Sequence, residues 1–225
     1  MPLIDLTAAL RDAWDVIVIG TGVGGATAGY TLARAGMKVL FCERGHWHHG
    51  EPSKFHGNYP ELLAPDAQPD SASWRQAMAR SGRCADVFED GSRRRHRRFV
   101  PLLGSGVGGS SALYGMAMER FFPCDFEPGR HHNPDAGSML PERWPIGFTD
   151  MLPYYLEAEE LYGVRGTMDP LKHADSHNLP AAPPLTPGAE TIFELLRDRG
   201  CHPYRLPLAC RFSADCACCQ GFQCR

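Results

Sequence analysis

The sequence predicts an α/β fold built on a Rossmann-like βαβ unit, and three observations predict it. They are a run of β-branched residues from Asp15 to Gly20, a glycine-rich turn directly after it, and a second apolar run, Lys38 to Cys42, that ends on the acidic Glu43. A continuous Val-Ile-Val-Ile run suits a strand buried on both faces of a parallel sheet. Ala26, Ala28, Tyr30, Leu32 and Ala33 lie in a segment of small, helix-compatible residues that closes at Gly36, a residue suited to a left-handed helix end. Strand, turn, helix and strand follow one another within about thirty residues, the size of a βαβ crossover.

Beyond this unit the elements are sparser. Residues 45 to 101 show no clear period, because Pro52, Pro60, Pro65 and Pro69 interrupt it, and the basic run at Arg93, Arg94, Arg95, Arg97 and Arg98 reads as a solvated strip. Thr149 is placed to cap a helix through Tyr162, with Met151, Tyr155, Ala158 and Tyr162 on one face and Glu157, Glu159 and Glu160 largely on others. Thr186-Pro187 supplies a cap and first-turn proline for a further helix ending near Gly200, whose Ile192, Leu195 and Leu196 are expected to face inward.

Composition narrows the function. With 225 residues and a net charge of -3, the chain has material for a packed core and no global attraction for a polyanion, so nucleic acid is not an expected partner. The first fourteen residues lack the basic start and apolar run of a secretory signal, and no stretch reaches the roughly 18 to 20 apolar residues of a membrane span, so a cytoplasmic protein is expected. Nine cysteines, five of them in the last sixteen positions, do not form an evenly spread disulfide framework and fit reduced thiols or a metal centre.

The chemistry concentrates in two glycine-rich segments. Gly20-Thr21-Gly22-Val23-Gly24-Gly25 matches the dinucleotide pattern: Gly20 permits the tight turn, Gly22 lets the backbone approach a pyrophosphate, and Gly25 lets the helix pack on the strand. The helix start offers free N–H groups to phosphates, and Glu43, 23 residues after Gly20, can accept hydrogen bonds from an adenosine ribose. That carboxylate disfavours a 2′-phosphate without separating NAD from FAD. The second segment, Leu103 to Met116, is a long glycine-and-serine turn able to pass directly against a phosphate or a flavin ring, and it favours FAD.

With both segments in place, Asp15 to Gly45, which ends Glu43-Arg44-Gly45, resembles the start of the glucose–methanol–choline (GMC) flavoprotein oxidoreductases. Val107 to Ser111 resembles the Gly-Gly-Ser-Ser core of that family's first signature, and Trp144-Pro145-Ile146 through Gly163 resembles its Trp-Pro-Ile segment and following helix. The resemblance implies an FAD-binding α/β domain over residues 1–165 and the start of a linker and substrate region over 166–225. It implies a cofactor site at Gly20, Thr21, Gly22, Val23, Gly24, Gly25, Glu43 and Arg44, with Gly108, Gly109 and Ser110 near the pyrophosphate and flavin and Tyr114, Gly115 and Met116 along the isoalloxazine edge. The FAD is expected to be non-covalent, since no histidine stands between Phe99 and His131 for a covalent link.

The implied reaction is hydride transfer from a CH–OH group of a small alcohol, sugar or polyol to the flavin, with the electron acceptor unassigned. The family's catalytic histidine lies near the carboxyl end of a much longer chain, so it is expected beyond Arg225, and none of the ten histidines here is nominated. His46, His48, His49, His131 and His132 read as surface-loop residues. Some family members hold an iron–sulfur cluster in a cysteine-rich segment. Here Cys210, Cys216, Cys219 and Cys224 are the candidate soft ligands, in a spacing that matches no cluster signature, and no metal site is assigned. An NAD-dependent Rossmann dehydrogenase and a non-enzymatic, metal-binding module are the competing functions.

Overall fold

The computed structural model describes residues 4–45, 71–92, 94–101, 103–112, 117–131, 140–172 and 179–209. The chain divides into two compact units, residues 1–115 with 218–225, and residues 116–217.

In the first unit, helix α1 (Leu6–Arg11) is capped by Asp5, whose carboxylate accepts the Ala8 N–H at 2.8 Å. Strand β1 (Val16–Ile19), helix α2 (Val23–Arg34) and strand β2 (Val39–Cys42) form the expected crossover, and β1 pairs parallel to β2 with Val16 opposite Val39 and Ile19 opposite Cys42. Helix α2 packs against the sheet through glycine. A Cβ at Gly25 would overlap the Gly20 carbonyl, and one at Gly29 would overlap the Phe41 ring. The opposite face of β1 is open, with Ile17 59% and Ile19 89% exposed.

Among its described residues, the segment expected to be irregular contains three elements. Helix α3 (Ala72–Arg80) starts at Ser71, whose hydroxyl accepts the Trp74 N–H, and buries Ala77 and Met78. Strands β3 (Phe88–Asp90) and β4 (Arg97–Phe99) form an antiparallel hairpin in which Glu89 faces Arg98 and Asp90 faces Arg97. Part of the basic run is therefore one side of a hairpin whose acidic residues sit across from it, an arrangement favourable for cross-strand charges. Arg94, Arg95, Arg97 and Arg98 are exposed, as expected of a solvated strip.

The second unit holds helix α4 (Pro128–His131), helix α5 (Phe148–Tyr162), strand β5 (Val164–Arg165), helix α6 (Pro187–Asp198) and strand β6 (Leu208–Ala209), with β5 antiparallel to β6. The cap of α5 is Gly147, two residues before the expected Thr149, because the Asp150 carboxylate reaches back to the Gly147 N–H at 2.8 Å. The helix ends in the left-handed Gly163, φ 60°. Phe126 anchors an aromatic cluster, edge-on to Phe121, Trp144 and Phe148.

Two expectations are corrected here. Glu159 is not set apart from the inward face of α5. It is buried and forms a two-pronged pair with Arg120, Nε to Oε1 at 2.6 Å and Nη2 to Oε2 at 2.7 Å. Beside it, the Lys172 ammonium meets Glu119 at 2.6 Å and the Arg120 carbonyl at 2.7 Å. Burial, with help from Glu119, pushes the nearby Tyr204 hydroxyl up to about 12. The second correction concerns α6, whose cap is the expected Thr186. Its Ile192, Leu195 and Leu196 are 60%, 52% and 41% exposed, because no described element packs on that face.

Candidate functional site

The first glycine turn follows directly from β1. Gly20 has φ 90°, a left-handed conformation that a side chain would strain, and its N–H donates to the Cys42 carbonyl at 2.7 Å, locking the turn to the end of β2. Gly22 caps α2 without a side chain, so the first-turn N–H groups of the helix receive no capping oxygen from it. A Cβ added to Gly22 or Gly24 would meet nothing within 4 Å. The helix therefore opens onto free space with its positive dipole end, a setting that favours an anion.

Glu43 stands where β2 ends. Its Oε2 accepts both the Thr21 N–H at 2.9 Å and the Thr21 hydroxyl at 2.7 Å, and its Oε1 accepts the Gly45 N–H at 2.8 Å. Burial pushes the Glu43 carboxyl up, but the bonds from Gly45 and Thr21 together outweigh it and hold the group below its ordinary value. A carboxylate has about four acceptor sites. Donors of the chain, the Thr21 N–H and hydroxyl and the Gly45 and Arg44 N–H groups, engage both oxygens.

The second glycine segment lies against the first turn. Gly108 and Gly109 both have left-handed φ, 92° and 55°, and a Cβ at Gly109 would stand 3.4 Å from the Gly22 Cα. The Gly108 N–H donates to the Thr21 hydroxyl oxygen at 3.2 Å. Ser110 shapes the loop from within, its hydroxyl accepting the Gly104 N–H at 3.0 Å, and the Ser111 hydroxyl donates to the Gly108 carbonyl at 2.6 Å. A strand-like pairing carries the loop: Ser105 N–H to the Gly82 carbonyl and Cys84 N–H to the Leu103 carbonyl, both at 2.8 Å.

Arg44 is turned toward this support. Its guanidinium donates to Asp86 at 2.7 Å and to the Cys84 sulfur at 3.2 Å, tying the end of β2 to the segment that pairs with the second loop. Asp86 and Cys84 are partners that sequence reasoning missed, and no local pattern marks them, since they stand some forty residues from Arg44. The fold thus brings together Gly20, Thr21, Gly22, Val23, Gly24, Gly25, Glu43, Arg44, Gly108, Gly109 and Ser110 within one unit. Tyr114, Gly115, Met116 and the cysteines 210, 216, 219 and 224 lie outside the described residues. Among the described residues no group of three metal-ligating side chains occurs, and no helix is long and apolar enough to cross a membrane.

An open helix N-terminus, two loops bare of side-chain bulk and a carboxylate at the end of the neighbouring strand define a Rossmann-type dinucleotide-binding fold. Residues 15–79 match the family model of the FAD binding domain. Paromamine 6'-oxidase of Streptomyces fradiae is 35% identical over 198 residues, 87% of this chain and 31% of that protein. The 6'''-hydroxyparomomycin C oxidase of Streptomyces lividus is 33% identical over 199 residues, covering 87% and 32%, and 2-methyl-1,2-propanediol dehydrogenase of Mycolicibacterium austroafricanum is 31% identical over 193, covering 85% and 32%. The chain spans about a third of the length of these relatives. It carries a GMC-like FAD-binding amino-terminal part, and its cofactor is FAD.

Proposed function

We propose that this chain is the cofactor-binding portion of an FAD-dependent oxidoreductase that oxidises a CH–OH group of a small alcohol, sugar or polyol. The observation that carries the reading is the meeting of the two glycine loops at the start of α2, joined through Thr21 to Glu43. The relatives support the reaction class, since their names describe oxidases of paromamine and of 6'''-hydroxyparomomycin C and a dehydrogenase of 2-methyl-1,2-propanediol.

In this proposal the α2 N-terminus, with Gly20, Gly22, Val23, Gly24 and Gly25, receives the diphosphate through backbone N–H groups and the helix dipole. Glu43 accepts from an adenosine ribose hydroxyl alongside the chain's own donors. Gly108, Gly109 and Ser110 flank the diphosphate and flavin, and Tyr114, Gly115 and Met116 line the flavin edge. Arg44 acts indirectly, holding the second loop's support through Asp86. When bound, FAD supplies the hydride acceptor. The protein's share at this site is to bind the cofactor, orient it and offer a low-bulk surface against which it lies. We further propose that the FAD is non-covalent, that residues 1–165 serve the cofactor and 166–225 begin the substrate region, and that the protein works in the cytoplasm. The four described cysteines, Cys42, Cys84, Cys124 and Cys201, are free thiols, which suits a reducing compartment.

The test is direct. The purified chain is titrated with FAD and followed by flavin fluorescence, beside Gly22→Val, whose added side chain occupies the open space before the helix. Binding by the wild type and its loss in a folded Gly22→Val support the assignment. Equal FAD affinity in the two overturns it.

A further inference from the structure

Glu43, the first turn and the second glycine loop meet at one side chain. Thr21 is 4% exposed, and its hydroxyl stands between an N–H that can only donate, from Gly108 at 3.2 Å, and a carboxylate that can only accept, Glu43 Oε2 at 2.7 Å. The direction of both hydrogen bonds is therefore fixed, and position 21 needs a group that accepts on one side and donates on the other. Among side chains of this size, only a hydroxyl does both.

We propose that Thr21 is a positioning residue for the cofactor, its hydroxyl clasping the second glycine loop to the Glu43 carboxylate and so setting the gap between the two loops. This rests on the dinucleotide reading given above. The loops are adjacent: a Cβ at Gly109 would stand 3.4 Å from the Gly22 Cα, in van der Waals contact, so they meet backbone to backbone. Glu43 belongs to the same clasp. Its two oxygens already meet N–H or O–H donors from Thr21 and Gly45, so a side-chain amide at position 43 would turn an NH₂ group against a donor whichever way it faced. The lowered pKa of Glu43 agrees with this geometry, because the Thr21 hydroxyl and N–H are among the bonds that outweigh its burial. A carboxylate that only touched ribose would tolerate Glu43→Gln far better, since an amide still bonds a hydroxyl.

The experiment compares the 225-residue chain with Thr21→Val, Thr21→Ser, Glu43→Gln and Glu43→Ala. It measures FAD affinity by flavin fluorescence, ADP affinity by competition, folding by circular dichroism, and FAD retention as a function of pH. Thr21→Val, equal in shape and lacking the hydroxyl, is expected to weaken FAD by about tenfold or more, with acid release moved to higher pH, while Thr21→Ser recovers affinity to within about threefold of wild type. Glu43→Gln is expected to fall as far as Glu43→Ala. A folded Thr21→Val that binds FAD within about twofold of wild type, with an unmoved acid limb, overturns the proposal. If Thr21→Val does not fold, the Glu43 pair decides: Gln well above Ala overturns the clasp, and Gln equal to Ala supports it. Failure of the wild type to bind FAD or ADP is a different result, which overturns the dinucleotide assignment itself and this proposal with it.

Discussion

At the residue scale, the energetics turn on two carboxylates. Glu43 has its pKa held below the ordinary 4.5, so its contribution to the site is fully present above that pH and is lost as the pH falls through the lowered value. An acid titration of FAD retention is expected to be flat from neutral pH down to the ordinary Glu range and to fall only below it. Glu159 is the other case. It and Arg120 are 10% and 3% exposed at the side chain, so removing one partner strands a buried charge, at a cost of about 3 to 5 kcal/mol. Glu159→Gln should therefore shift the urea midpoint of the Trp144-containing unit strongly, whereas Arg120→Met with Glu159→Leu should cost less than either single change. The sequence displayed Glu43, because a strand end 23 residues past a glycine turn is a position with a known use. It hid Glu159, one of three glutamates in Glu157-Ala158-Glu159-Glu160, because its partner Arg120 is 39 residues away.

At the scale of elements, what was legible is what announces itself by local pattern. Strands β1 and β2 and helix α2 followed from a β-branched run, a glycine turn and a second apolar run, and α6 from Thr186-Pro187. Helix α3 was not legible because Ala77 and Met78 are the only buried residues in its nine, too few to show a period. The β3–β4 hairpin escaped because its strands are three residues each and rich in charge. The site divides the same way: both glycine loops were visible, while their contact through Thr21 and Gly108 spans 87 residues and was not. Exposure also decides what a substitution does. Ile192→Ser and Leu195→Ser on the open face of α6 should change the stability of this chain by no more than about 0.5 kcal/mol in urea unfolding. Val164→Ala, at a site 2% exposed in β5, should cost about 2 kcal/mol in the same assay.

At the scale of the whole molecule, the chain leaves much apolar surface in water. Ile17 and Ile19 on β1, Phe121 and Tyr154 in the second unit and the α6 face are each more than half exposed or close to it, and parallel sheets in general are covered on both faces. The isolated chain should bind the dye ANS at neutral pH without denaturant, and an ANS signal no higher than that of a well-packed protein of this size would contradict the exposed surface described.

The β1–β2 pair carries one more consequence, for the exchange of its amide protons with solvent. Among the described residues each strand pairs only with the other, so each is an edge. The Val16 and Gly20 N–H groups point across the pair, to the carbonyls of Lys38 and Cys42. By the two-residue alternation of a strand, those of Ile17 and Ile19 point the other way, out of the sheet. In deuterated water the protons along β1 should vanish in alternation, fast at Ile17 and Ile19 and slow at Val16 and Gly20. Any strand laid along that outer edge would erase the alternation, so the pattern reads out directly whether the sheet has gained a neighbour.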